Sequence, residues 1–309
     1  LFAAAVRTVQ GANERLDLKI ASAALREMQL AFAMFAPYRD RPKVTIFGSA
    51  RTTPGDATYD PAHRVAADLA AEGWMVVTGA GPGIMEAGLA GAGRQNAIGV
   101  SIRLPFETEA NHVIAGDEKL VEMKYFFTRK LMLVKESKGF ISLPGGFGTL
   151  DETFELFTLQ QTGKADPVPI VLLDEPGGTY WTDLDGFVRR ELAPAGLIAE
   201  HDLGLYLLTD DVTAACSEII GFYRNFHSMR YVGDRLVIRL RTAPPDELLA
   251  SLDADFSHLL AGGGFERTSA LRPEIETGDA VELPRITFRY GPRHYGRVRA
   301  LVDRLNAAG

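Results

Sequence analysis

Between Lys43 and Thr209 the sequence alternates between short apolar runs and longer segments with helical spacing. The apolar runs lack the alternation of a strand that has one side in solvent, so we predict strands that are buried on both faces. Strands of this kind, separated by helices, indicate a parallel sheet with helices on both faces. We therefore predict a doubly wound, Rossmann-like α/β fold. The predicted strands are residues 43–49, 74–79, 97–104, 138–145, 167–174 and 203–209.

The pattern changes near Met229. From there the order strand, helix, strand, strand, helix predicts a small C-terminal α+β module. Residues 228–309 hold twelve arginines, no lysine and eleven acids, so the module is nearly neutral. Two roles for this module remain open: it mediates assembly, or it senses a regulatory nucleotide. The predicted divisions are a helical lead-in over 1–42, the α/β domain over 43–227 and the module over 228–309.

Charge and cysteine content narrow the class of protein. The net charge is −7, with 33 basic and 40 acidic residues, which gives no general attraction to nucleic acid or to an anionic membrane. We expect neither as a partner. The lone Cys216 excludes an internal disulfide and favours a reducing, cytoplasmic location. Because the chain begins at Leu1 and not at Met, we expect further residues ahead of it.

Glycine-rich segments follow several of the predicted strands. In an open parallel sheet, ligands bind beyond the carboxyl ends of the strands. Ser49 follows the first strand in FGSAR, and TGAGPGIME follows the second with Gly79, Gly81 and Gly83. Glycine lets backbone amides converge on an anion, although a tight strand-to-helix turn explains the same residues.

A further glycine segment, PGGFGTLDE, follows the strand at 138–145. One interpretation is a phosphate loop at a helix N-terminus. The alternative is a capping box, in which Thr149 caps the helix and Glu152 accepts a backbone N–H. Upstream, MKYFFTRK places Arg129 and Lys130 on a helix that leads into this strand. Such a pair often faces solvent, but arginine is also the planar fork that binds phosphate.

Together these segments resemble the LONELY GUY (LOG) family of phosphoribohydrolases, long mislabelled lysine decarboxylases. The resemblance covers roughly residues 43–225 and includes FGSA and GxGPGIMEA. It departs from many members at Ala80, where they have glycine. Six residues match the family pattern PGGxGTxxE without a gap: Pro144, Gly145, Gly146, Gly148, Thr149 and Glu152.

The resemblance implies hydrolysis of the N-glycosidic bond of a nucleoside 5′-monophosphate, either a cytokinin riboside monophosphate or AMP, to free base and ribose 5-phosphate. It implies Arg129 and Glu152 as the catalytic pair and a homo-oligomer, a dimer or a multiple of one. The expected substrate-binding residues are Lys130, Gly145, Gly146, Gly148, Thr149, Gly79, Gly81, Gly83, Ser49, Glu107 and Thr158. The base would contact apolar side chains such as Met85, Met123 and Phe126.

Glu152 suits this chemistry because a carboxylate stabilises the positive charge that develops on ribose and orients water. Asp151 and Glu155 have no assigned role. We expect no cofactor and no metal, since the six histidines are scattered and no pyridoxal phosphate site is evident. The alternative function is a non-catalytic carrier or sensor of a phosphorylated cofactor or nucleotide, similar to molybdenum-cofactor carriers.

Overall fold

The structure, a computed structural model, describes residues 2–11, 14–104, 110–291 and 295–308. The chain divides into two compact units, Leu1–Thr149 and Leu150–Gly309. A seven-stranded parallel sheet has the strand order β4-β3-β2-β1-β5-β6-β7, and a separate antiparallel sheet has the order β10-β11-β9-β8. The predicted doubly wound α/β fold with a small α+β module is confirmed.

The first unit contains five strands of the parallel sheet. β1 pairs with β2 on one side and with β5 on the other, so the direction of winding reverses between β1 and β5. Ligands bind at such switch points. The elements are α1 Phe2–Gly11, α2 Arg15–Phe35, β1 Lys43–Phe47, α3 Tyr59–Ala71, β2 Met75–Thr78, α4 Ile84–Ala92, β3 Ala97–Ile102, β4 Leu120–Met123, α5 Phe126–Lys135 and β5 Gly139–Ser142.

Burial explains why these strands form. All the residues of β1, β2 and β5 are buried, and β-branched and aromatic side chains pack well on a covered sheet. Helices α3 and α4 pack on each other and against β2, while α2 and α5 pack on each other and against β4. The helix α6, Phe147–Gln161, begins at the end of the first unit and continues into the second.

The second unit contains the last two parallel strands and the antiparallel sheet. α9 and α11 supply apolar side chains to the core over that sheet, such as Leu252 and Leu301 against Ile238 and Phe288. The elements are β6 Ile170–Leu173, α7 Tyr180–Phe187, β7 Leu207–Thr209, α8 Val212–Gly221, β8 Phe226–Val232, β9 Arg235–Leu240, α9 Asp246–Asp255, β10 Leu260–Thr268, α10 Arg272–Thr277, β11 Arg285–Tyr290 and α11 Gly296–Asn306. Shorter 3₁₀ or π turns cover Ala36–Tyr38, Arg94–Asn96, Val188–Leu192, Glu200–Gly204 and Ser257–Leu259.

Comparison with the sequence predictions shows four missed elements. The six predicted strands all occur, but the sequence analysis did not predict β4, α7, β8 or α10. The module therefore has the order ββαβαβα, and the predicted order of strand, helix, two strands and helix was wrong. Cys216, on α8, is buried in the core.

Candidate functional site

The loops that follow β1 and β2 are joined through their backbones. The carbonyl oxygen of Ser49 accepts a hydrogen bond of 3.0 Å from the amide of Ile84, the first residue of α4. Gly83, just before it, has φ +72°, and a Cβ atom there would overlap the Ser49 carbonyl oxygen. Only glycine satisfies both the backbone angle and the space. The TGAGPGIME loop, which was predicted to bind an anion, therefore packs closely against the backbone at Ser49.

The loops that follow β1 and β5 meet at the same serine. The Ser49 amide donates a hydrogen bond of 3.1 Å to the carbonyl oxygen of Pro144. A Cβ atom at Gly145 would lie 3.0 Å from the Ser49 nitrogen and would overlap the side chain of Thr149. Ser49, Gly83, Gly145 and Thr149 therefore lie together at the switch point of the sheet.

The start of α6 excludes one alternative for the PGGFGTLDE segment. The helix begins at Phe147, so Thr149 lies inside it, and a capping box needs threonine at the N-cap. Thr149 is buried, whereas Gly146 and Gly148 are exposed, and a Cβ atom at either of them would meet no other part of the described chain within 4 Å beyond its own neighbours and helix backbone. The side of the loop that carries these two glycines is open to an approaching ligand.

Arg129 projects from α5 towards the second glycine loop. Its Nε donates a hydrogen bond of 3.0 Å to the carbonyl oxygen of Val100 in β3. The guanidinium lies against Gly79, where it occupies the space that a Cβ atom would take. An arginine guanidinium is a planar fork that suits a phosphate or a carboxylate. The sequence prediction placed Arg129 on a helix, but it did not anticipate the contact with Gly79.

A cavity of about 180 Å³ lies beside Arg129 in the first unit. Its lining combines backbone at Gly79 and Gly81 with apolar side chains, including Met85 and Phe126. Met123, the third side chain expected to contact a base, is buried and lines a different, larger cavity. The cavity thus joins an arginine and glycine backbone, which suit an anion, to an apolar wall that suits an aromatic ring.

Ala80 adopts the backbone conformation that glycine would favour. Its φ is +59°, in the left-handed region, which costs an alanine roughly 1 kcal/mol. The surrounding bonds hold it there: its amide donates to Thr78 Oγ1 at 3.1 Å, and its carbonyl oxygen accepts from the Asn111 amide at 2.8 Å. Asn111 Nδ2 also donates to the Gly81 carbonyl oxygen at 2.8 Å. Residue 80 therefore has a left-handed backbone conformation even though it is alanine and not the glycine of many family members.

Two positioning residues were missed by the sequence analysis. Asn111 is one, and no sequence signal distinguishes it from an ordinary loop residue. Glu27 is the other: its buried carboxylate accepts bonds from Thr128 Oγ1 at 2.6 Å and the Tyr125 amide at 3.4 Å, at the start of α5. An acid at a helix N-terminus is favourable. A detectable signal existed, since Glu27 is the one acid on the buried face of α2.

The remaining predicted residues belong to several elements. Lys130 is half-buried on α5, and Glu152 is half-buried on α6 in the second unit. Thr158 is exposed further along α6, where its Oγ1 donates to the Phe154 carbonyl oxygen at 2.8 Å. Glu107 lies outside the described residues. Of the two acids with no assigned role, Asp151 is exposed and Glu155 is half-buried.

Two features, a metal-binding cluster and a membrane-spanning helix, are absent from the described residues. Within the described parts of the chain, no three histidine, cysteine, aspartate or glutamate side chains converge as metal ligands do. No described helix has both the length and the apolarity that crossing a membrane requires.

Glycine loops at the switch point of a doubly wound sheet, beside an arginine-lined cavity, define the type of α/β site that binds anionic ligands. Comparison with known proteins narrows this class. The profile of the family described as possible lysine decarboxylase matches residues 80–219. The cytokinin riboside 5′-monophosphate phosphoribohydrolase of Mycobacterium marinum is 30% identical over 165 residues, which cover 50% of this chain and 83% of that protein. The protein of the same name from Mycobacterium tuberculosis is 33% identical over 160 residues, with coverage of 50% and 81%.

The chain belongs to the LOG family of phosphoribohydrolases. Among solved structures, the molybdenum cofactor binding protein from Rippkaea orientalis is similar, with a TM-score of 0.40 and 21% identity. The match covers 58% of this chain and 95% of that one.

Proposed function

We propose that this protein hydrolyses the N-glycosidic bond of a nucleoside 5′-monophosphate, releasing the free base and ribose 5-phosphate. The observation that carries the proposal is the guanidinium of Arg129 held against Gly79 in a cavity with an apolar wall. Membership of the LOG family supports the same reaction, since the relatives described above are named for it.

The phosphate is the part of the substrate that the loops suit best. We assign it to the backbone around Gly145, Gly146 and Gly148 at the start of α6, with Lys130 as a further cation. A helix N-terminus attracts an anion through its free amides and its dipole. The contact between Ser49 and Pro144 supports this assignment because it fixes the loop after β5 to the loop after β1.

The base is assigned to the cavity beside Arg129. Met85 and Phe126 line it, and apolar and aromatic side chains suit a purine ring. To Arg129 we assign the role of offsetting the negative charge of the phosphate.

The bond-breaking step is assigned to Glu152. As the bond between C1′ and the base nitrogen breaks, the base takes the electron pair and positive charge develops on the ribose, which a carboxylate stabilises. Water forms the new bond to C1′, and Glu152 accepts its proton. The proton then passes to the departing base, so that neutral base and ribose 5-phosphate are the products.

The test is incubation of the purified protein with AMP and with isopentenyladenosine monophosphate, followed by chromatography of the free base. We expect base release by the wild type and a loss of at least a hundredfold in Arg129→Ala and Glu152→Gln, because each removes a group that acts on the transition state. Arg64→Ala and Glu72→Gln are the matched controls. Both remove an exposed charge from the region of α3 and should retain full activity.

Two outcomes would overturn the proposal. One is no base from any monophosphate tried, and the other is undiminished activity in both Arg129→Ala and Glu152→Gln. Tight binding of a nucleotide or molybdopterin without turnover would instead support the carrier function, which needs the phosphate loops but no paired acid.

We also propose that the protein is a cytoplasmic homo-oligomer, a dimer or a multiple of one. Apolar side chains on neighbouring helices support it: Leu30 and Phe32 of α2 and Phe126, Phe127 and Leu131 of α5 are each more than 40% exposed. Light scattering after size exclusion measures the mass directly, and a monomer at micromolar concentration would contradict it. The predicted divisions at 1–42, 43–227 and 228–309 stay a proposal, which limited proteolysis tests.

A further inference from the structure

A second cavity, of about 570 Å³, lies in the first unit between α2 and the end of β4. It is distinct from the cavity beside Arg129, although Arg103 and Glu122 line both. Arg103 and Glu122 form an ion pair, with Nε 2.9 Å from Oε1. Together they form part of the wall of both cavities. No role in the proposed reaction accounts for the larger cavity.

The lining of this cavity is strongly cationic. Five basic side chains and two acidic ones contribute, an excess of three positive charges in a chain whose net charge is −7. Both acids are engaged, since Glu27 accepts bonds from Thr128 and Tyr125 and Glu122 pairs with Arg103. The basic residues are Arg15, Lys19, Arg26, Arg103 and Lys124.

Three of these cations form no ion pair with any described residue. Arg15, Lys19 and Arg26 are exposed on α2 and make no hydrogen bond or ion pair with any described residue. Their spacing of four and seven residues places them on one face of the helix. Like charges on one helix face repel each other, so these three cations slightly destabilise the protein when the cavity holds no anion. An anion that binds there removes the repulsion.

We propose that this cavity binds a small molecule that carries at least two phosphate groups. The cations of α2 span eleven residues from Arg15 to Arg26, roughly 16 Å along the helix axis, so a single phosphate reaches only part of the row. A volume of about 570 Å³ has the size of a small-molecule site. A small molecule is favoured over nucleic acid because the chain as a whole is acidic.

Calorimetric titration at low ionic strength tests the site, with inorganic tripolyphosphate as the first probe and ATP as the second. Tighter binding of ATP would show that an organic group contributes, and equal binding would show that the phosphates suffice. Lys19→Ala/Arg26→Ala should weaken tripolyphosphate binding at least tenfold, because it removes two charged contacts. The control is a titration with sulfate at the same ionic strength, which measures how tightly any divalent anion binds.

The controls separate this site from other cationic surfaces. Arg64→Ala removes a cation that is 60% exposed on α3 and should bind like the wild type. Tripolyphosphate also has access to the cavity beside Arg129, so Arg129→Ala is titrated in parallel and should retain the binding assigned to α2. Thermal unfolding of each variant verifies the fold.

The proposal is overturned if neither polyphosphate binds more tightly than sulfate, or if Lys19→Ala/Arg26→Ala binds tripolyphosphate as the wild type does. It is also overturned if a short single-stranded oligonucleotide binds through Lys19 and Arg26 more tightly than either polyphosphate. Binding is measured without turnover, so the result does not depend on the proposed nucleosidase activity.

Discussion

The guanidinium of Arg129 occupies the space in front of Gly79 that any other residue would fill with its side chain. A Cβ atom at Gly79 would overlap Nη2 of the arginine and would lie 2.8 Å from the sulfur of Met85. Because position 79 has no side chain, the guanidinium of Arg129, fifty residues away in the sequence, has room to lie there.

Gly79→Ala should impair activity more than stability. The added methyl group displaces the Arg129 fork, and a misplacement of about 1 Å in a catalytic group costs on the order of a hundredfold in rate. We expect kcat/KM for the monophosphate substrate to fall by about that factor, as measured by initial rates of base release. Gly221→Ala is the control, because a Cβ atom there meets nothing within 4 Å. Equal activity of the two variants would contradict the steric role of position 79.

The two glycines that flank α4 allow backbone strain to be separated from steric overlap. Gly83 and Gly93 have φ of +72° and +73°, but only at Gly83 would a Cβ atom meet other atoms, those of the backbone at Ser49 and Ala50. Gly93→Ala should cost about 1–3 kcal/mol in the free energy of unfolding, from backbone strain alone. Gly83→Ala should cost clearly more, as measured by urea unfolding. Equal losses would mean that the loop at Ser49 moves away without cost.

Glu274 in the second unit is a buried carboxylate between two arginines. Its Oε1 accepts bonds from Arg239 Nε at 2.9 Å and Nη2 at 2.7 Å and lies 2.9 Å from Arg285 Nη1. Glu274→Gln would leave these buried charges poorly compensated, and we expect a loss of about 3 kcal/mol in the free energy of unfolding. Glu276→Gln is the matched control, since its ion pair with Arg272 is exposed and should contribute less than about 1 kcal/mol.

The same carboxylate predicts how stability responds to acid. Burial raises the pKa of Glu274, but the bonds from the Leu271 amide, Arg239 and Arg285 outweigh it, and the pKa lies below its ordinary value of 4.5. The unfolded chain therefore takes up this proton at a higher pH than the native one. The stabilisation is complete above the ordinary value and is lost as the pH falls below it. Urea unfolding of the wild type and Glu274→Gln across this range should converge at low pH; a constant difference would contradict the linkage.

Tyr290 predicts a loss of stability in alkali. Burial, with a contribution from Tyr231, raises its pKa from 10.0 to about 12. Above about pH 10 the unfolded chain releases this proton and the native one keeps it, so stability falls as the pH rises, by about 2 kcal/mol at pH 12 from this residue. Unfolding in urea between about pH 9 and pH 12 measures the slope. Tyr290→Phe should make it shallower, and an unchanged slope would assign the effect to other tyrosines.

Much of the parallel sheet was predictable because its strands are short, mostly apolar and separated by segments with helical spacing. β4, Leu120–Met123, was not, since it lies at the edge of the sheet and the exposed Glu122 interrupts its apolar residues. In β8 only Phe226 and Met229 are buried, and the strand was hidden by the change of pattern at Met229. A signal was nevertheless present, because Gly233 and Asp234 separate β8 from β9 by the two residues of a tight hairpin.

In the candidate site, too, the sequence predicted features that depend on neighbouring residues and missed contacts between residues far apart in the chain. The glycines at 83 and 145 were identified because a strand–turn–helix segment is a local pattern. The contact of Arg129 with Gly79 and the bonds of Asn111 to the glycine loop join residues at least thirty positions apart. No periodicity reports such contacts, and they follow only from the strand order.

The buried carboxylate of Glu27 decides where this protein can be shortened. A chain that began at Lys43, at the first strand, would leave the Tyr125 amide at the start of α5 without its acceptor, and Thr128 Oγ1 would keep only its bond to the Tyr125 carbonyl oxygen. The arginine that follows Thr128 would then project from a helix with a loosened first turn. A minimal fragment for biochemistry should therefore begin no later than Glu14, so that α2 is retained as a structural part of the helix on which Arg129 stands.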